Sequence, residues 1–236
     1  AGIGITYKIG PAEEVGERIT FDIPDVTMMT GEVMYTTFSA LYWASISLGG
    51  YLPSDETFEV GDGIRFWHRY ESVEDDDVNE MEFVRALLHE QGDGSQWWRF
   101  EFYLEEEDEE FAFEALVRAD ESVELIRYED PGTEEIVTHE PSDGDLWRTY
   151  RDEDFWTSED LEEMRTGSER IRVPAGSFQT ERLETSEDGA TFVWWVTDDV
   201  PGRVVRFEGV TEDDDQLEGE LLEILSNVRS PWGRAW

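Results

Sequence analysis

The stretch from Ile171 to Gly209, IRVPAGSFQTERLETSEDGATFVWWVTDDVPGRVVRFEG, constrains the fold more than any other part of the chain. Three turn signals cut it into strand-length pieces. In Val173-Pro174-Ala175-Gly176, proline presets φ for the second position of a type I turn and glycine closes it. In Val200-Pro201-Gly202-Arg203, Pro-Gly is the type II signal, because the third position requires φ > 0. Glu187-Asp188-Gly189 is the turn between them. Residues 170–173, 178–183, 191–197 and 203–207 remain, rich in β-branched and aromatic side chains. The spacing predicts an antiparallel meander.

The same code runs upstream. Ile19, Phe21 and Ile23 alternate, as do Ile64, Phe66, His68 and Tyr70. In residues 97–104, Trp98, Phe100, Phe102 and Leu104 share one face, and Trp97, Arg99, Glu101 and Tyr103 the other. Phe111, Phe113, Ala115 and Val117 line one face of the next segment. Residues 81–89, 122–128 and 135–138 also read as strands, and residues 1–10 as a weak one. Residues 52–66 read as a hairpin around Gly61-Asp62-Gly63. Residues 91–95 and Pro131-Gly132 read as turns, and 141–154 as a polar connector. Residues 158–165 fit a short helix capped by Ser158 and ended by Gly167. Residues 217–228 suit a helix through Leu217, Leu221, Leu225 and Val228, or a strand through Leu222, Ile224 and Val228.

One uncharged segment stands apart. Val33–Leu52 reads VMYTTFSALYWASISLGGYL. Tyr35, Phe38, Leu41, Tyr42 and Ile46 fall at helical spacing, and Gly49-Gly50 with Pro53 would stop the helix. Its serines, threonines and glycines make it too polar for a convincing span. A buried or amphipathic helix is the expectation; a packed strand pair, or a segment buried in a membrane or oligomer, are the alternatives. The fold class expected is mainly β (α+β), a large curved antiparallel sheet with helices on one side, residues 1–236 forming one domain.

Charge decides what such a surface can do. Asp and Glu number 59 against 18 Lys and Arg, a net −41, and Lys8 is the one lysine. A hydrophobic fraction of 39% with regularly spaced aromatics argues against disorder. Self-repulsion on this scale destabilises a compact state in dilute buffer. Molar salt shortens the Debye length to about 3 Å and removes most of that cost. The expectation is a halophile's protein that loses stability as salt is withdrawn; an acidic surface for cations or basic proteins is the alternative. Seventeen arginines scattered among acids give no basic stripe for nucleic acid, and anionic membrane surfaces are disfavoured likewise.

The residues supply no recognisable catalytic motif. With no cysteine there is no disulfide, thiolate metal site or thiol nucleophile. His68, His89 and His139 lie outside metal-binding spacings and read as structural or surface residues. Serines lack the nucleophile elbow, and Walker and dinucleotide loops are missing. The acidic runs 75–77 and 213–215 read as solvated loop tips or weak divalent-ion sites. No cofactor is expected. Residues 191–197 are apolar on both faces, Phe192, Trp194 and Val196 against Val193 and Trp195, so both faces must be covered. Core packing would satisfy this. A lined cavity would too, drawing on Trp98, Phe100, Phe102, Phe111, Phe113, Phe192, Trp194 and Trp195 as ligand-binding residues.

The pattern T-G-x-E-x-I-x-V-P-A-G-S-F-x-T, then the two-sided aromatic strand, then D-D-V-P-G-R-V-V-R-F-E, resembles the carboxy-terminal half of LolA-like half-barrel proteins. It is similar in particular to domains of unknown function in that superfamily with a V-P-A-G-x-F meander. The likeness covers residues 167–209 well and 51–65 loosely, through L-P-S-D-E-T-F-E-V-G-D-G-I. Val33–Leu52 and the tail beyond Val228 depart from it. The resemblance implies an incomplete antiparallel barrel whose concave face shelters helices or an apolar, lipid-like ligand. It also implies an extracytoplasmic location and no catalysis; the cytoplasm of a salt-accumulating cell is the alternative. No signal peptide is visible, although a chain beginning at Ala1 is compatible with a processed one. A structural or assembly protein, homo-oligomeric through Val33–Leu52 and the Trp232/Trp236 tail, is the second functional expectation. A hydrolase using surface carboxylates is the third.

Overall fold

Alternating side chains force most of this chain into strands, because period-two sequences bury one face only when extended. The computed structural model of the protein describes residues 3–4, 20–21, 31–45, 58–73, 77–104, 109–120, 122–141, 158–187 and 189–236. Strands β1 (Ile3–Gly4) and β2 (Thr20–Phe21) form a small pair. Helix α1 (Gly31–Ser45) follows, then β3 (Gly63–Ser72), β4 (Asp77–Glu90), β5 (Gln96–Leu104), β6 (Glu109–Val117), β7 (Val123–Glu129) and β8 (Ile136–His139). Helix α2 (Ser158–Met164) leads into β9 (Arg165–Val173), β10 (Gly176–Glu187), β11 (Ala190–Val196), β12 (Val204–Val210) and β13 (Gln216–Leu225).

Strands β3 to β13 make one antiparallel sheet of eleven, ordered β8-β7-β6-β5-β4-β3-β13-β12-β11-β10-β9. Two meanders are therefore sewn together where β3 pairs with β13. The sheet is curved and unclosed, with β8 and β9 as its edges. Register shifts at Leu87/His89, Leu116/Val117, Arg182/Leu183, Trp195/Val196 and Leu221/Glu223 each add local bend and twist. At the last, the Ala175 N–H of the β9–β10 turn donates to the Leu221 carbonyl at 3.2 Å. That bond ties the edge hairpin back onto β13.

The turn chemistry follows the sequence. Val173 pairs with Gly176, so Pro174 and Ala175 form a two-residue loop. Gly202 has φ of 72° and the Arg203 N–H reaches the Val200 carbonyl at 2.9 Å. Several expectations are corrected. Strand β9 begins at Arg165, directly after α2, so Gly167 lies inside a strand rather than ending the helix. Of the two alternatives for residues 217–228 the strand holds over 217–225, since Leu217 and Leu221 must face the core opposite Tyr70 and Phe66. Phe58–Val60 is not a strand; β3 takes its partners from β4 and β13 instead of a 52–66 hairpin. Residues 46–52 of the uncharged segment, residues 75–76 of the acidic tip 75–77 and most of the 141–154 connector lie outside the described residues.

Candidate apolar binding face

The face that carries α1 and the main core is called inner here. On α1, Phe38 is fully buried and Tyr42 nearly so. Phe38 packs against Phe100 and Phe113 with ring centroids 5.4 and 5.3 Å apart. Tyr42 meets Phe100 edge-on at 5.3 Å. The helix is placed at its start by β8. Gly31 lies so close to His139 that a Cβ would stand 2.3 Å from Nδ1, and the Tyr35 and His139 rings lie 6.1 Å apart. Residues 33–45 of the uncharged segment thus belong to a core helix, Gly31–Ser45, that covers the inner face of one half of the sheet.

Register extends the apolar surface across the seam. One inner row runs Leu183, Trp194, Phe207, Gly219, His68, Met81, Leu104 over seven strands. Phe207 lies 5.3 Å from Trp194 and 6.1 Å from Phe192. His68 is fully buried and stacks on Phe83 at 5.0 Å. Two glycines make room for the rings. A Cβ on Gly219 would come within 2.7 Å of Phe66 and 2.9 Å of the Trp67 carbonyl; one on Gly209 would come within 2.7 Å of Phe192. Arg85 brings a charge onto this face: its guanidinium lies 4.3 Å from the centroid of Trp98 and 5.3 Å from that of Phe58.

Of the residues picked from sequence, Trp98, Phe100, Phe102, Phe111 and Phe113 are buried together in the α1 half, while Phe192 and Trp194 lie with Phe207 in the other half. All seven belong to or pack on one continuous core. Trp195 is on the opposite face. There it lies in a row between Arg182 and Arg206, whose guanidiniums are 5.9 and 5.4 Å from its ring, and its indole N–H donates to Glu169 at 2.7 Å. Phe66 was read only as part of an alternating strand, and Phe83, Phe207 and the two glycines were not singled out beforehand; a glycine inside an alternating strand is the signal that marks them.

The outer face of the α1 half has its own cover. Residues 226–236 cross it as a strap: Trp236 stacks on His89 at 5.3 Å and lies 5.7 Å from Trp97, and Trp232 lies 4.8 Å from the Arg99 guanidinium. Beneath it, Arg99, Glu114 and Arg127 sit opposite one another on β5, β6 and β7. Arg127 donates to Glu114 at 2.8 Å and to the Trp232 and Gly233 carbonyls at 3.3 Å. Burial pushes the Glu114 carboxyl above the usual glutamate range, opposed by Ser230, Arg127 and Arg99. The Trp232/Trp236 tail expected to meet neighbouring subunits therefore packs on its own sheet.

Among the described residues no group of histidines and carboxylates is arranged to hold a metal ion, and no helix is long and apolar enough to cross a membrane. No protein-family model matches the chain, and no match is found among curated proteins. Similar solved structures include a DUF1329 family protein from Desulfovibrio piger, at 12% identity and a TM-score of 0.36, covering 80% of this chain and 93% of that one. Another is a structure named as an outer membrane lipoprotein-sorting protein domain, from Vibrio parahaemolyticus, at 9% identity and a TM-score of 0.30, with the same 80% and 93% coverage.

Proposed function

We propose that the protein is a non-enzymatic, single-domain half-barrel that shelters an apolar, lipid-like ligand against the inner face of β9–β13. The observation that carries this reading is the aromatic row crossing the seam at Gly219. It joins the α1-covered core to a second apolar surface at Phe192, Trp194 and Phe207. Among the described residues, the helix over that second surface is the seven-residue α2, which contributes Leu161 and Met164. A short two-residue contact is easier to displace than α1, whose burial of Phe38 and Tyr42 is nearly complete. Trp98, Phe100, Phe102, Phe111 and Phe113 then form the wall behind the ligand rather than its first contacts. Trp195 supports the site from the outer face.

The acidic composition supports a high-salt setting, and the half-barrel resemblance supports an extracytoplasmic one. Native mass spectrometry in volatile high-salt buffer tests the binding reading. A monomer carrying co-purified lipid is expected; a stable homo-oligomer free of ligand supports the assembly reading instead. Trp194→Ala should lose ligand while keeping the far-ultraviolet spectrum of the fold, and unchanged loading would remove Trp194 from the site. A thermal midpoint that stays flat between molar and millimolar KCl would overturn the halophile reading.

A further inference from the structure

Strand β9 is the long open edge of the sheet. Among the described residues its hydrogen bonds run to β10 and to Trp195, and residues 165–170 and 172 are exposed. The edge is held firmly at both ends. The Ala175–Leu221 bond anchors its turn, and Arg165 at its start bridges Glu181 at 2.7 Å and Glu162 at 3.2 Å. A fixed open edge is a template for an added strand, with little ordering cost on its own side.

Its charge is the opposite of the rest of the chain. Three of its nine residues are arginines, in a protein with 18 basic residues among 236. Blunting an edge against aggregation needs any charge, and acids are what this composition supplies freely. Arg170 and Arg172 form no ion pair among the described residues, although the chain offers 59 carboxylates. Glu169, between them and Ser168, is engaged by the Trp195 indole. Arg170 and Arg172 pair with Gln179 and Ser177, so both point to the same side of the sheet.

We propose that β9 is a docking edge for an extended acidic segment of a partner protein, which adds as a twelfth strand. Its carboxylates stand two residues apart, so that both face Arg170 and Arg172. A second copy's β9 is disfavoured as occupant, because an antiparallel β9–β9 pair sets arginines against arginines. Net −41 repels acidic partners at long range, but in molar salt that field is screened to about 3 Å and contact pairs decide binding.

The test uses the full chain in molar KCl with a fluorescein-labelled peptide, Ser-Thr-Glu-Val-Glu-Val-Thr-Ser, and its isomer Ser-Thr-Glu-Glu-Val-Val-Thr-Ser. The first places both glutamates on one face; the second splits them. Anisotropy titration should show the first binding about tenfold tighter, and Arg170→Glu with Arg172→Glu should remove that preference. Hydrogen exchange should slow at β9 amides and not at β8. Equal binding of the two peptides, or exchange protection elsewhere than β9, overturns the proposal. So does self-association through β9 without peptide, seen by light scattering and abolished by the double reversal. Both arginines are exposed, so the variant's fold can be checked by its unchanged melt.

Discussion

Strands β4–β7 are dressed on both faces, with α1 inside and the 226–236 strap outside. Strands β10–β12 have a comparable inner core around Trp194 and Phe207, but their outer side is a rung in which Arg182 and Arg206 reach solvent on either side of Trp195. Both regions are written in the same alternating code. What differs is the segment brought over each, α1 and the strap from either side of the sheet in sequence, against a short helix adjoining β9. The difference teaches that a two-sided aromatic strand does not say which of its faces is core. Trp97 is dry because the strap covers it; Trp195 is dry because two arginines and Glu169 enclose it.

The comparison can be broken at its strongest point first. Phe38→Ala removes a fully buried ring from between Phe100 and Phe113 and should cost about 4 kcal/mol in urea denaturation. Trp194→Ala, on the less covered half, should cost about 3 kcal/mol. A loss larger than that of Phe38→Ala would reverse the ranking of the two halves. Arg127→Ala takes one donor from the buried Glu114 carboxyl and from two strap carbonyls, and should cost about 3 kcal/mol. Faster proteolysis of residues 226–236 in that variant would show that the strap depends on it. Arg206→Ala on the open rung should cost about 0.5–1 kcal/mol in the same measurement.

Glu114 sharpens the contrast through pH. Its carboxyl lies above the ordinary glutamate range in the folded chain, so the folded state holds that proton more tightly than the unfolded one. This contribution is present at and below about pH 4.5 and is lost as pH rises through the raised folded value. Glu114→Gln should therefore flatten the decline in stability from acid toward neutral pH relative to the parent. An unchanged slope would show that Glu114 titrates alike in both states. Trp195 carries no titratable group, and Trp195→Phe should leave the slope as it was.

The meander between Ile171 and Gly209 was legible because its turns carry their own chemistry. Gly202 at φ of 72° and the Pro174–Ala175 loop follow from local sterics. The helix over 31–45 was legible from apolar spacing, and the aromatic faces of β5 and β6 from period two. The side taken by Trp195 was not, since alternation separates Trp194 from Trp195 without saying which side is inner. Nor was the Arg99–Glu114–Arg127 row, whose members are fifteen and thirteen residues apart and meet through register alone.

By itself, then, the amino-acid order determined strands, turns, the apolar helix and an acidic surface, because backbone sterics, side-chain period and charge act over a few residues. The tertiary structure decided the seam between β3 and β13, the strap across β4–β7 and the open edge at β9. Those depend on which distant segments bury each other's surface, and burial is a property of neighbours in space.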